Sequence, residues 1–494
     1  MKPTPAHGKI SIMDPHKCLL IIITLTLLIL CKHLTIGLDL AAYEKASFSI
    51  SPSSEFTHFV THKETGIVYI GASDALYQLG EDFVRQERAD TAAQCEDGVQ
   101  ICPNYNKILL IDYAHDRLIT CGSEKQGTCQ TRDLSNVNTV LYESNRPVVA
   151  SGKLSTEAII APGPTNGGVD ALYVSATFEK ARRNDVSALS RRELNVTSEL
   201  LFAIERDGNL WVNSYGGFVD LAFNYAEVFN LKEFTYFATS QILDIRAEER
   251  DSHVSKVNRI CHNTISLENS YADILIECSS GGNYYNLIQA AYVGPAGPSL
   301  ATSLGLNAGD DVFYGVFAEN EGVPLSSSIP SSKSALCVFK LQYIEEAFLD
   351  AVFGCLTLGD AFRAGYFQGS QCVEFSITRE QAIGQQCTDQ TNWQIASGIT
   401  PLMSTPVIEW NDTLPSSVIT TTHRDHTVAF VGTTTGDLVK VHIESNSSGR
   451  EYERISLGSP VLKDAEMDTN KEMVTILTQQ QVRYYWLEKQ ASSY

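Results

Sequence analysis

RLITCGSEKQGTCQTRDL, residues 117–134, packs a strand, a stapled turn and a second strand into one short stretch. Leu118 and Ile119 end an apolar run, after which Cys121 and Cys129 close a small loop. That loop holds Gly122 and Gly127, the residue type that enters positive φ without steric cost. The stretch therefore reads as a β-hairpin with a covalent clamp across its turn. The same outline recurs without the clamp at IVYIGASDALYQL from Ile67 and VAFVGTTTGDLVKVHI from Val428. In each, a mostly apolar run leads into a glycine, Gly71 or Gly432, and a second strand follows a few small polar residues. A hairpin repeated in separate parts of one chain predicts repeated small sheets rather than one mixed sheet.

Outward from these hairpins the chain is almost all strand, turn and loop. FTHFV from Phe56 is expected to pair with IVYIG across the turn HKETG, and KILLIDY (107–113) leads through Ala114-His115-Asp116 into the clamped hairpin. Further strands are expected at TVLY, EAIIAP, ALYVSATF, EFTYFATSQ, KVNRICHN and ADILIECSSGG. From Tyr284, YYNLIQAAY and LATSLGL fit helical spacing better than period two. They predict a partly helical insertion over about 284–350, and YIEEAFLDAVF is expected as a short helix. VLKDAEMD, MVTILT and VRYYWL close the chain as a meander.

The span from Asp39 to Leu487 is about 450 residues, where a single sandwich or barrel runs to about 250. No proline- or glycine-rich linker divides it. A radial array of four-stranded blades, each about 40 to 60 residues, fits the length, and Gly71 and Gly122 lie 51 residues apart. The expected fold is all-β: a seven-bladed β-propeller whose excess length sits in the insertion.

Composition narrows the function. Hydrophobic residues make up 43% and charged residues 19%, so the chain can build a large core. Net charge is −21 and no basic block reaches five residues, which disfavours nucleic acid as a partner. Lys17 precedes the apolar run CLLIIITLTLLILC (18–31), too short to span a bilayer comfortably. Residues 1–38 are expected to be a signal peptide, cleaved near 37–42, with an uncleaved anchor as the alternative. Setting aside Cys18 and Cys31 leaves ten cysteines, an even number that argues for five disulfides in a secretory chain. Cys95 with Cys102 and Cys121 with Cys129 read as local loops, and the absence of C-x-x-C pairs argues against zinc. Sequons at Asn195, Asn411 and Asn446 agree with an extracellular glycoprotein.

Nothing in the sequence carries chemistry. G-x-S-x-G, H-E-x-x-H and G-x-G-x-x-G are all missing, and Asp112, His115 and Asp116 read as solvated turn residues. No catalytic residue, cofactor or metal site is expected, and the chain is not expected to be an enzyme. KARRNDVSALSRR (180–192) is locally basic in an acidic protein. It reads as a solvated loop, or as a patch in which Arg182, Arg183, Arg191 and Arg192 steer an acidic ligand.

LLIDYAHDRLITCGSEKQGTCQTRDL resembles the most recognisable segment of the plexin Sema domain. IVYIGASDALYQL, ECSSGGNYYNLIQAAYVGPAG, SALCVFKL and HTVAFVGTTTGDLVKV are similar to successive plexin blocks in the same order, with TPVIEW nearest the B class. The resemblance implies a seven-bladed propeller over 39–487 that binds semaphorins at the cell surface, in guidance and adhesion signalling. A homodimer or a co-receptor is a further partner it allows. It also implies the pairing Cys95–Cys102, Cys121–Cys129, Cys261–Cys387, Cys278–Cys337 and Cys355–Cys372, and a first strand at Phe48–Ile50 completing the last sheet beside VRYYWL. Residues 488–494 form a short tail where plexins continue into a cysteine-rich PSI module and a membrane helix. The chain is therefore expected to be a fragment, the product of an incomplete gene model or a secreted form, attached to membrane only through a segment outside it. The alternative function is a semaphorin-type ligand or the ectodomain of a Sema-containing receptor tyrosine kinase.

Overall fold

Strands that bury both faces look alike in sequence, and here they occupy the middle of each sheet. The computed structural model describes residues 44–94, 101–124, 126–164, 169–177, 186–194, 201–211, 223–243, 252–367, 371–388 and 395–486. The expected signal peptide, Cys95, Arg182, Arg183, Asn195 and the tail at 488–494 lie outside them. Among the described residues, seven sheets of four or more strands, antiparallel except where two short strands join the fourth, follow one another along the chain.

Blade 1 comprises Phe56–Thr61, Val68–Ala72, Ala75–Leu79 and Arg85–Asp90, and blade 2 comprises Asn106–Asp112, Arg117–Gly122, Cys129–Asp133 and Val140–Glu143. Thr156–Pro162, Asp170–Ala176, Leu189–Glu193 and Ile204–Leu210 form blade 3. Blade 4 runs Asn224–Leu231, Phe234–Ile242, His253–Cys261 and Ala272–Ser280, with Asn283–Tyr285 beside the last. Blade 5 takes Leu287–Pro295, Asp311–Asn320, Pro330–Lys340 and the late strand Ile408–Trp410. Pro415–His423, His426–Thr433, Asp437–Ser445 and Ser448–Ser456 make blade 6. Blade 7 is Val461–Met467, Met473–Thr478 and Gln481–Trp486, closed by Glu44–Ser49 from the other end of the chain.

The closing strand pairs Phe48 with Val482 and Ser47 with Arg483. First strands of successive blades lie side by side all the way round, including blade 7 against blade 1, so the sheets form a closed ring. The apolar core is divided into wedges between neighbouring blades. Blades 7 and 1 share Phe56, Ile70, Leu477 and Val482, blades 6 and 7 share Phe430, Val461 and Ile476, and blades 1 and 2 share Tyr69, Leu109 and Leu118. A second strand is covered on both sides by such wedges. Val68–Ala72 is buried at every position, while the outer strand Arg85–Asp90 is mostly exposed.

This arrangement explains the recurring glycine. A Cβ on Gly71 would come within 2.2 Å of Asn106 Oδ1 in the first strand of blade 2, and one on Gly432 within 2.3 Å of Val461 in the first strand of blade 7. Gly122 meets Asn104 in the same way. The glycines mark where a neighbouring strand or loop closes on the middle of a blade.

The helical insertion is displaced from its expected place. Residues 287–295 are not helical: they form the first strand of blade 5. A bulge between Ile288 and Ala290 breaks the period-two alternation, and burial on both faces removes the polar half of the pattern. Only Pro298–Leu304, α1, turns helical there, ending in Gly305 at φ 65°. The real excursion starts after blade 5's third strand. It consists of α2 (Leu341–Leu358), a 3-10 turn Gly359–Phe362, and α3 (Arg379–Gln385) capped by Thr378 and Gln381. It then returns along blade 4, where Ala396–Ser397 and Leu402–Ser404 pair in parallel with Ala272–Ser280. The excursion thus covers an edge that would otherwise be open to another strand.

Candidate interaction surface

In the clamped hairpin, Cys121 and Cys129 sit directly opposite each other, with Cα atoms 4.0 Å apart and a bridge between them. Gln126 and Gly127 take left-handed φ at the turn, and the Gly127 carbonyl accepts from Val148 N–H at 2.8 Å. Asp112, expected to be solvated, is buried: it accepts from Arg117 Nε at 2.8 Å and meets His115 Nδ1 at 2.9 Å. It braces the turn before the hairpin.

Three further bridges concern the excursion. Cys278–Cys337 joins the last strand of blade 4 to the third strand of blade 5, just before α2. Cys261–Cys387 ties blade 4 to the end of α3, and Cys355–Cys372 lies within the excursion. Cys102 is also disulfide-bonded.

The excursion's noncovalent anchor went unnoticed in the sequence. Lys256 Nζ lies 2.9 Å from Asp273 Oδ1, with both side chains at most 1% exposed. Ser397 Oγ donates to the same oxygen at 2.6 Å, while Tyr271 (3.1 Å) and Tyr366 donate to Oδ2. Burial, reinforced by Asp273, holds both phenols well above their usual range, so they stay protonated donors. Tyr366 and Ser397 come from the excursion and the rest from blade 4. The signal was a charged residue, Asp273, inside the apolar run ADILIEC.

The steering patch is corrected in part. Arg191 and Arg192 are 0% and 2% exposed, in the third strand of blade 3. Arg191 pairs with Glu205 and donates to the carbonyls of Thr264 (2.7 Å) and Ile265 (2.6 Å) in blade 4. Arg192 donates to Phe202 O at 3.0 Å, and burial pushes its guanidinium down to about 9. They fasten strands and loops together and are not available to a ligand. His262, which meets Thr235 Oγ1 at 3.0 Å, is pushed down to about 4 by burial and then by Arg191.

The ring's axis has a different chemistry from the wedges. Lys463 of blade 7 reaches Glu157 of blade 3 and donates to Tyr225 O of blade 4 at 3.1 Å. Side chains from blades so far apart around a ring meet only at its axis. Burial opposes the charge of Lys463, but Glu157 and Glu227 outweigh it and hold the ammonium above its usual range. Glu227 is pushed up to about 8, first by burial and then by Glu157. Asp464 accepts from Phe59 N–H at 3.0 Å and meets His58 Nδ1 at 3.1 Å, which joins blade 7 to blade 1.

The outer surface of the excursion mixes exposed charges, among them Glu346, Asp350, Arg379 and Glu380, with apolar side chains. Tyr343, Leu358, Ile383, Ile399 and Met403 are all exposed there. Two grooves flank Tyr343 and Leu402: one of about 320 Å³ that also includes Asp350 and Ile399, and one of about 340 Å³ that runs to Asn446 in blade 6. Asn411 and Asn446 both stand exposed in turns. Among the described residues no group of His, Cys, Asp and Glu is arranged to hold a metal, and no helix is long and apolar enough to cross a membrane.

A family model described as the Sema domain matches residues 288–468, covering blades 5 and 6, the excursion and the start of blade 7. The chain matches the Sema model over this part of its length. It is similar to plexins over most of its length: Plexin A3 of Danio rerio is 25% identical over 485 residues, covering 88% of this chain and 25% of that protein. Plexin-B3 of Mus musculus is 27% identical over 465 residues, covering 88% and 22%. A-class and B-class plexins thus match at nearly the same identity, and the chain spans about a quarter of the length of these relatives. Among solved structures, the plexin A4 extracellular region superposes with a TM-score of 0.78 at 23% identity, over 90% of this chain and 40% of that one. Drosophila Semaphorin 2a gives 0.65 at 15%, over 90% and 76%. A chain of the complex of Drosophila Plexin A with Semaphorin 1b gives 0.57 at 14%, over 90% and 87%. These overlays establish the propeller fold.

Proposed function

We propose that this chain is the extracellular, ligand-binding Sema domain of a plexin-like receptor, and that its ligand is a semaphorin. The observation that supports this best is the similarity to plexins over 88% of the chain. One solved relative is a plexin–semaphorin complex, which fits a propeller that acts through surface contact. The chain has no reaction of its own in this reading: its buried ionisable clusters serve the ring, and its outer surface serves recognition. Residues 1–38 direct the chain into the secretory pathway, 39–487 fold as the propeller, Asn195, Asn411 and Asn446 accept glycans, and Cys95 pairs with Cys102. A dimeric ligand gripping two such propellers would bring their attached segments together, a gain from multivalency.

The test is direct binding of the secreted chain to immobilised semaphorin ectodomains and, in parallel, to plexin ectodomains. Saturable binding to a semaphorin and none to plexins is expected. Binding to plexins alone would move the chain to the ligand side of the pair.

A further inference from the structure

Asn446 stands on the wall of the larger groove. Its turn joins Asp437–Ser445 to Ser448–Ser456 and is fixed by Asn446 N–H donating to Ser303 Oγ of α1 at 3.1 Å. The groove is also lined by Lys340, Tyr343, Met403, Ser404 and Thr405. This lining is mixed in a specific way. Hydroxyls come from Ser303, Tyr343, Ser404 and Thr405, while Met403 is 63% exposed and Tyr343 45%. Lys340, 3.3 Å from the Tyr343 hydroxyl, is the one charged side chain among the lining residues, and no carboxylate lines the groove.

A pyranose has the matching duality, with hydroxyls around its edge and a C–H face that lies against an aromatic ring or a thioether. The groove's volume is at the lower end of the roughly 300–1,000 Å³ of ligand sites, which suits a small polar ligand. We propose that a glycan on Asn446 folds back into this groove, its first sugars resting against Tyr343 and Met403. The groove is then a shelf for the chain's own carbohydrate. Tethering makes weak contacts sufficient, because the attached sugars are held at a local concentration on the order of millimolar. This inference rests on the secretory reading above.

The test uses the full chain secreted from cultured cells. Glycopeptide mass spectrometry reads occupancy at Asn411 and Asn446, and hydroxyl-radical footprinting reads the accessibility of Met403 and Tyr343. Removing the glycan enzymatically, or blocking its addition with S448A, is expected to raise labelling of both residues about threefold, a weak tethered contact being lost. Tyr113 and Tyr284, exposed on other blades, are expected to stay unchanged. S448A removes only a 3.2 Å contact to Glu444 at an exposed turn, and N446Q provides a second variant with the same expected result. An occupied Asn446 with Met403 and Tyr343 labelled equally in all forms overturns the inference. A bare Asn446 on chain recovered from the medium, whether or not Asn411 is modified, overturns it while sparing the secretory reading; a chain that never reaches the medium overturns the two together.

Discussion

Two lysine–carboxylate pairs hold this ring, one sealed and one at the axis. Lys256 and Asp273 are at most 1% exposed and share their site with two tyrosines and a serine. Lys463 and Glu157 are 25% and 14% exposed, with Glu227 beside them. The same ion pair therefore has two different jobs. In the sealed site, removing either charge strands the other in a medium that cannot solvate it, so the pair fixes where the excursion sits. At the axis water shares the load, and the pair tunes contact between distant blades.

The largest expected effect is at the sealed site. Asp273→Ala leaves the Lys256 ammonium buried without its partner, at a cost of about 3–5 kcal/mol. Loss of most secreted protein, and a lowered denaturation midpoint in what remains, would show it. Opening Cys278–Cys337 with a double serine variant is expected to cost about 2–4 kcal/mol, because the bridge closes a long loop. Its check is the denaturation midpoint and protease sensitivity of α2. Cys121→Ser is expected to lower secretion yield more than semaphorin binding, since its clamp lies within one hairpin; a normal yield would contradict that. Glu157→Gln, at the axis, is expected to cost about 1 kcal/mol, between exposed and sealed pairs. A loss equal to that of Asp273→Ala would erase the distinction between the two sites.

The last effect is pH dependence, and its sign differs between Glu227 at the axis and His262 in blade 4. Glu227 binds its proton more tightly when folded, so its contribution is full below about 4.5 and is lost as pH rises towards about 8. His262 is opposite: its folded form resists protonation, so its contribution is full above about 6.5 and is lost as pH falls towards about 4. Glu227→Gln should flatten the decline in melting temperature on the alkaline side and leave the acid side unchanged. Melting curves from pH 4 to 9 would read both limbs.

What the sequence disclosed follows from how local each signal was. Cys121, Gly127 and Cys129 act within one turn, so the clamped hairpin could be read directly. The repeated glycines at Gly71 and Gly432 likewise pointed to repeated blades, although their reason, the approach of Asn106 or Val461, is visible only in three dimensions. The first strand of blade 5 misled because its bulge and two-sided burial imitate helical spacing. Arg191 and Arg192 looked like surface charge beside a basic loop. Their neighbours Ala188 and Leu189, also buried, are the local hint of a strand covered on both faces. The Lys256–Asp273–Tyr366–Ser397 cluster spans about 140 residues, and no pattern of periodicity reaches that far.

The pairing of Phe48 with Val482 sets an order of events during synthesis. Translation at about 5–20 residues per second separates the two by roughly 430 residues, or about 20–90 s. Throughout that interval the amino-terminal strand has no partner, and blade 1 presents a bare flank where Phe48 and Tyr484 will later lie. The nascent polypeptide is therefore expected to need a holding chaperone until the strand Gln481–Trp486 emerges, and truncation of that strand should lengthen the hold indefinitely.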